Sequence, residues 1–107
     1  MAITEKLAPL RKGLLEFVIL KIIDTERLYV ADMLKRLADT EFATQEGTLY
    51  PLLGKMRRED LVEYQWQESG SGPPRKYYQL TANGRAALAE LQGYWDTLNH
   101  TLRTLGH

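Results

Sequence analysis

The spacing of apolar residues changes twice along this chain, and those two changes restrict its fold more than any other feature. Before residue 60 the spacing is helical: Leu49, Leu52, Leu53 and Met56 recur at i, i+3, i+4 and i+7, one buried helix face. From Val62 it becomes a strict alternation. Val62, Tyr64 and Trp66 fall on one side and Glu63, Gln65 and Gln67 on the other, which predicts a half-exposed strand. "ESGSGPP" is turn chemistry throughout, and "RKYYQL" supplies a returning strand, so the two close a hairpin. After Thr81, a predicted helix cap, the helical spacing returns. Leu88, Leu91, Trp95, Leu98, Leu102 and Leu105 step by 3, 4, 3, 4 and 3, the seam of a coiled coil.

Two further helices precede the hairpin. Residues 10 to 24 are apolar on nearly all sides, so a small domain must cover them from two directions, the second being another subunit. Val30 to Ala38 form a second helix with Met33, Leu34 and Leu37 inward. "EFATQ" connects to the third, with Thr44 as its N-cap and its end near Asp60. The expected fold is mainly α with a small β-hairpin (α+β): a winged helix-turn-helix over residues 1–80, then a C-terminal dimerisation helix over 81–107. A three-helix domain with a hairpin and no nucleic-acid role has the same order.

Composition removes several functions. The 107 residues contain no cysteine, which excludes disulfides, thiolate metal sites and a cysteine nucleophile. No signal-peptide pattern opens the chain, and its first apolar run, Leu14 to Ile23, is broken by Glu16 and Lys21, so a cytoplasmic protein without a membrane partner is expected. His100 and His107 lack partners at catalytic or metal-ligand spacing, and "GSGPPR" lacks the Gly-Lys-Ser/Thr ending of a phosphate loop. No catalytic residue, metal or cofactor is expected. Fourteen basic residues balance fourteen acidic ones, so any affinity for a polyanion must come from a local patch.

Such a patch is legible. In helical projection the strip opposite the leucine face of residues 46–60 is Gly47, Pro51, Gly54 and Arg58, flanked by Thr48 and Lys55 on one side and Tyr50 and Arg57 on the other. Pro51 should bend or break this helix, and each glycine costs it about 1 kcal/mol. The handicaps all fall on the outward face, leaving a low ridge with polar shoulders that fits a major groove. The unsatisfied N–H groups around Gly47 favour a phosphate. Arg75 and Lys76 stand beside the hairpin tip, where a wing reaches phosphate or the minor groove. A solvated helix face and an ordinary turn are the commoner readings of either feature alone; both together, in this order, favour double-stranded DNA.

The chain resembles the PadR-like transcriptional regulators, their small subgroup, through "LRKGLLEFVIL" at 10–20, "EGTLYPLLGKM" at 46–56, "LVEYQWQESGSGPPRKYYQLT" at 61–81 and "GRAALAEL" at 84–91. The resemblance implies a winged-helix homodimer, joined through its last helix at Leu88, Leu91, Trp95, Leu98 and Leu102, that represses transcription from palindromic operators. By position, Gly47, Thr48, Tyr50 and Lys55 match the recognition segment and Arg75, Lys76 and Tyr77 the wing, with Tyr29 and Arg58 beside them. Where the family usually opens its second helix with Tyr-Gly-Tyr-Glu-Leu, this chain has Tyr29, Val30, Ala31, Asp32 and Met33. The first tyrosine is kept and the second is absent.

Some members of that subgroup hold flat aromatic compounds between subunits. Trp95 lies on the seam with Tyr94 beside it, so two symmetry-related indoles would sandwich a small aromatic effector, with Gly93 leaving room. The rival function is a winged helix that binds protein, as an adaptor or antirepressor, without specific DNA binding.

Overall fold

A computed structural model describes residues 3–106. Four helices and one hairpin follow in the order α1 (Ile3–Thr25), α2 (Val30–Ala38), α3 (Glu46–Arg58), β1 (Val62–Ser69), β2 (Gly72–Leu80) and α4 (Ala82–Leu105). The fold is thus α+β, with α2 bounded as its sequence predicts. The core is continuous. Leu15, Ile19, Leu20 and Ile23 of α1 meet Met33 and Leu37 of α2, Leu49, Leu53 and Met56 of α3, Val62, Tyr78 and Leu80 of the hairpin, and Leu88 of α4. Among the described residues no helix is long and apolar enough to cross a membrane.

Several boundaries differ from the sequence reading, each for a physical reason. α1 starts at Ile3 rather than residue 10 and carries Pro9 inside it. Leu7 and Leu10 are exposed there, so burial periodicity leaves no trace in those turns. The N-cap of α3 is Gln45, not Thr44; its side chain caps nothing, and its carbonyl accepts from the N–H groups of Thr48 and Leu49 at 3.0 Å each. Pro51 does not end α3. Leu49, Leu53 and Met56 are fully buried, each worth about 1.5–3 kcal/mol, which outweighs the roughly 3 kcal/mol handicap of an interior proline.

The strands run further into "ESGSGPP" than expected, leaving Gly70 and Ser71 as the turn. Pro73 and Pro74 lie in β2, tolerated because a two-stranded hairpin has free edges. Pairing is antiparallel, Val62 opposite Leu80, Tyr64 opposite Tyr78 and Trp66 opposite Lys76, with an irregularity between Gln67 and Ser69. Val62, Tyr64 and Trp66 share a face as predicted, but Trp66 is 60% exposed because the hairpin projects past the core.

α3 ends at Arg58, two residues before Asp60, which takes a left-handed conformation (φ 60°). The Leu61 N–H donates to the Met56 carbonyl at 2.9 Å and the Asp60 N–H to that of Arg57 at 3.0 Å, the paired bonds of a Schellman stop. This corner also seats α4. Thr81 caps α4 as expected, its hydroxyl oxygen accepting from the Gly84 N–H at 2.9 Å and donating to the Asp60 carbonyl. Asn83 donates to the Asp60 carboxylate at 2.6 Å, and the Thr81 N–H to the Leu61 carbonyl at 3.1 Å. A Cβ on Gly84 would stand 1.9 Å from the Leu61 carbonyl oxygen, so only glycine fits.

Candidate nucleic-acid interface

A short backbone pairing before α2 organises the interface. The Leu28 N–H donates to the Tyr78 carbonyl at 3.1 Å and the Tyr78 N–H to that of Leu28 at 2.8 Å. Leu28 thereby adds to the free edge of β2, which places the next residue, Tyr29, against the wing. Its ring lies 4.6 Å from that of Tyr77, and the Arg75 guanidinium stacks 3.9 Å above it. Arg27 covers Tyr77 from 5.2 Å. The backbone N–H of Tyr29 donates to the Asp32 carboxylate at 3.3 Å, tying the start of α2.

Arg75 and Lys76 diverge because neighbouring strand residues face opposite ways. Arg75 goes to the Tyr29 side. Lys76 crosses to the other face, its ammonium 4.5 Å from the Tyr64 ring and 5.5 Å from Trp66. Arg57 of α3 approaches Tyr64 at 4.9 Å, so the wing and α3 share one aromatic–cation stack. Each such contact is worth about 0.5–1 kcal/mol when exposed and holds a long cation in a fixed direction.

Between the starts of α2 and α3 and the wing lies a cleft of about 290 Å³, lined by Tyr29, Val30, Ala31, Glu46, Tyr50, Trp66, Pro74, Arg75 and Lys76. It collects Tyr29, Tyr50, Arg75 and Lys76 from the sequence-derived set, and adds Glu46 and Trp66, which that set lacks. The missed signals were available: Glu46 opens α3, and Trp66 lies at the outer end of its strand face. Gly47 and Thr48 are exposed on α3, and a Cβ on Gly47 would meet nothing within 4 Å. Arg58 lies back along α3, its Nη1 3.5 Å from where a Gly54 Cβ would stand.

Lys55 sits apart from this cleft. Its ammonium donates to the Glu16 carboxylate of α1 at 3.2 Å, and that hydrogen bond, followed by the charges of Glu16 and Glu59, raises its pKa above the ordinary lysine value. From the same helix Arg11 reaches the connector before α3, donating to the carbonyls of Glu41 and Ala43 at 2.9 Å each. α1 therefore braces α3 and the segment leading into it.

A larger cleft, about 530 Å³, lies elsewhere, between the end of α1, the base of the hairpin and the start of α4. Asp24, Glu26, Asp60 and Glu63 line it against Arg27 and Arg85, a poor surface for a polyanion.

The predicted seam divides. Leu88 is buried in the protomer's own core, whereas Leu91, Trp95, Leu98, Leu102 and Leu105 are exposed, along with Tyr94 beside them. Near the other end, Leu7 and Leu10 of α1 are also exposed, sharing a shallow apolar groove with Leu14 and Phe42.

The sequence matches the transcriptional regulator PadR-like family over residues 19–90. A PadR-like transcription factor from Bacteroides fragilis is 40% identical, with a TM-score of 0.83 over 94% of this chain and 98% of its own. A PadR-like transcriptional regulator from Bacillus cereus is 36% identical, with a TM-score of 0.81 over 92% of this chain and 96% of that one. Bacillus subtilis PadR, solved in complex with operator DNA, is 21% identical and shares the fold, with a TM-score of 0.69 over 74% of this chain and 45% of its own.

Proposed function

Because the chain belongs to the PadR-like family of transcriptional regulators, we propose that it is a homodimeric repressor that binds palindromic operator DNA through α3 and the wing. The observation that carries this reading is the union of two features across one cleft. Arg75 and Lys76, on the outer part of the wing, lie against aromatic rings, and α3 presents Gly47, where even an added Cβ would meet nothing within 4 Å. A helix with so low an outer surface approaches the floor of a major groove, and stacked cations meet phosphate with little ordering cost. The operator complex of Bacillus subtilis PadR, a protein of the same fold, supports the direction of the inference.

In this reading Arg75, Lys76 and Arg58 contact phosphate, Thr48 and Tyr50 face the groove, and Tyr29 and Tyr77 hold Arg75 in place. Lys55 reaches DNA only by leaving Glu16. The exposed run from Leu91 to Leu105 joins two protomers, placing the two α3 helices about one DNA turn apart, ~34 Å. Trp95 and Tyr94 then face their counterparts across the axis and take a flat aromatic effector. Such a ligand releases DNA by preferring one dimer spacing over another.

An electrophoretic shift with the DNA upstream of the protein's own gene, repeated across a salt series, tests the core of this. Retardation that weakens steeply with salt is expected. The rival reading, a module that binds protein, draws on the zero net charge and predicts no retardation at any salt. Titration of planar aromatic cations and phenolic acids into a Trp66→Phe variant, read by Trp95 fluorescence, tests the effector.

A further inference from the structure

Among the residues lining the cleft between α2, α3 and the wing, Glu46 is the one carboxylate. It stands in the first turn of α3, exposed, and among the described residues no ion pair or hydrogen bond engages its side chain. Everything around it suits a polyanion: Arg75 and Lys76 line the same cleft, and Gly47, the next residue, leaves the backbone bare. An unpaired carboxylate in that position repels phosphate. On a surface that meets DNA, a base that offers it a hydrogen-bond donor offsets that repulsion.

We infer that Glu46 is a specificity-determining residue that reads a cytosine in each half-site by accepting a hydrogen bond from its N4 amine. This rests on the DNA-binding function proposed above. Three observations support it. Recognition helices present their N-terminal residues to base edges, and Glu46 opens α3. In helical projection it shares its shoulder with Tyr50 and Arg57, the side that faces the wing, and lies away from the Lys55 shoulder that α1 occupies. Among major-groove edges, cytosine N4 is the donor matched by a carboxylate; guanine presents only acceptors there, and the bidentate face of adenine suits an amide. The carboxylate therefore contributes discrimination more than affinity: it rewards one base and penalises every sequence that lacks it.

The test is selection of duplexes from one randomised pool by the parent, Glu46→Gln and Glu46→Ala, with melting temperatures measured alongside. The parent should return a motif with a fixed C·G pair at one position of each half-site. Glu46→Gln should move that position toward A·T by roughly tenfold, the scale of one good base contact, and leave the others alone. Glu46→Ala should lose preference there and bind motif-free duplex more tightly than the parent does. Identical motifs from all three proteins would overturn the inference while leaving DNA binding intact. A lowered melting temperature with an unchanged motif would do the same, reducing Glu46 to a partner of the helix dipole. A parent that returns no motif would overturn both this inference and the function it rests on.

Discussion

The two ends of α4 carry the same residue type at the same spacing and meet opposite fates. Leu88, two turns beyond the cap, is 6% exposed and joins the core with α1 and the hairpin; Leu102 and Leu105 are 59% and 77% exposed. A heptad pattern specifies a stripe but not what covers it. The folded protomer uses only the start of this one, and the rest forms a contiguous apolar run of the kind that marks an association surface.

Breaking the outer run should have the largest effect. Leu98→Glu or Leu102→Glu removes two buried leucines per proposed dimer, roughly 3–6 kcal/mol, while the protomer keeps its helical circular dichroism. Sedimentation should then find monomers, and operator binding should vanish with the dimer. A parent that sediments as a monomer at micromolar concentration would refute the comparison at its root. Gly84→Ala attacks the other end, driving a Cβ into the Leu61 carbonyl. A loss of about 3 kcal/mol in urea denaturation is expected, against a gain of up to about 1 kcal/mol for Gly93→Ala, which lies inside α4 where a Cβ meets nothing within 4 Å.

Smaller effects belong to the wing. Arg75→Ala combined with Lys76→Ala removes four phosphate contacts from the proposed dimer, so it should weaken binding to all duplexes about tenfold or more and flatten the salt slope by about 4, with the fold intact. Lys55→Ala should do less, because that lysine already has Glu16. The smallest effect is on pH dependence. Burial, then the neighbouring Tyr64 and Tyr50, raises the Tyr78 pKa above 10.0. A raised pKa favours the protonated form in the folded state, so its contribution is complete below pH 10 and is lost as pH climbs through the folded value. Tyr78→Phe should make the alkaline decline in stability shallower.

These contrasts also mark what the sequence discloses. Local signals are legible: the leucine face of α3, the bounds of α2 and the Thr81 cap each depend on residues within a few positions. The Leu28–Tyr78 pairing joins segments 50 positions apart, and the stack of Arg75 on Tyr29 follows from it, so no local pattern announces either. Family resemblance proposes Tyr29 and Arg75 separately; only the fold shows that they touch. Lys55 teaches the converse, since its projection places it on the shoulder of an open face and α1 then claims it. Pro51 shows how far tertiary burial overrides propensity, for α3 runs straight through it.

The corner at Asp60 and Leu61 has a mechanical meaning. It ties the stop of α3, the first strand of the wing and the cap of α4 through hydrogen bonds and one glycine-only contact. Reading head and long helix are therefore welded at a set angle. In the proposed dimer the freedom left is the rotation of one α4 against the other. Its 24 residues make an arm of ~36 Å at ~1.5 Å per residue. A turn of ~5° at the far end sweeps the head through ~3 Å, close to the ~3.4 Å between successive base pairs. In that proposed dimer a stiff joint would turn a few degrees of slip between the two helices into a register error on a palindromic operator.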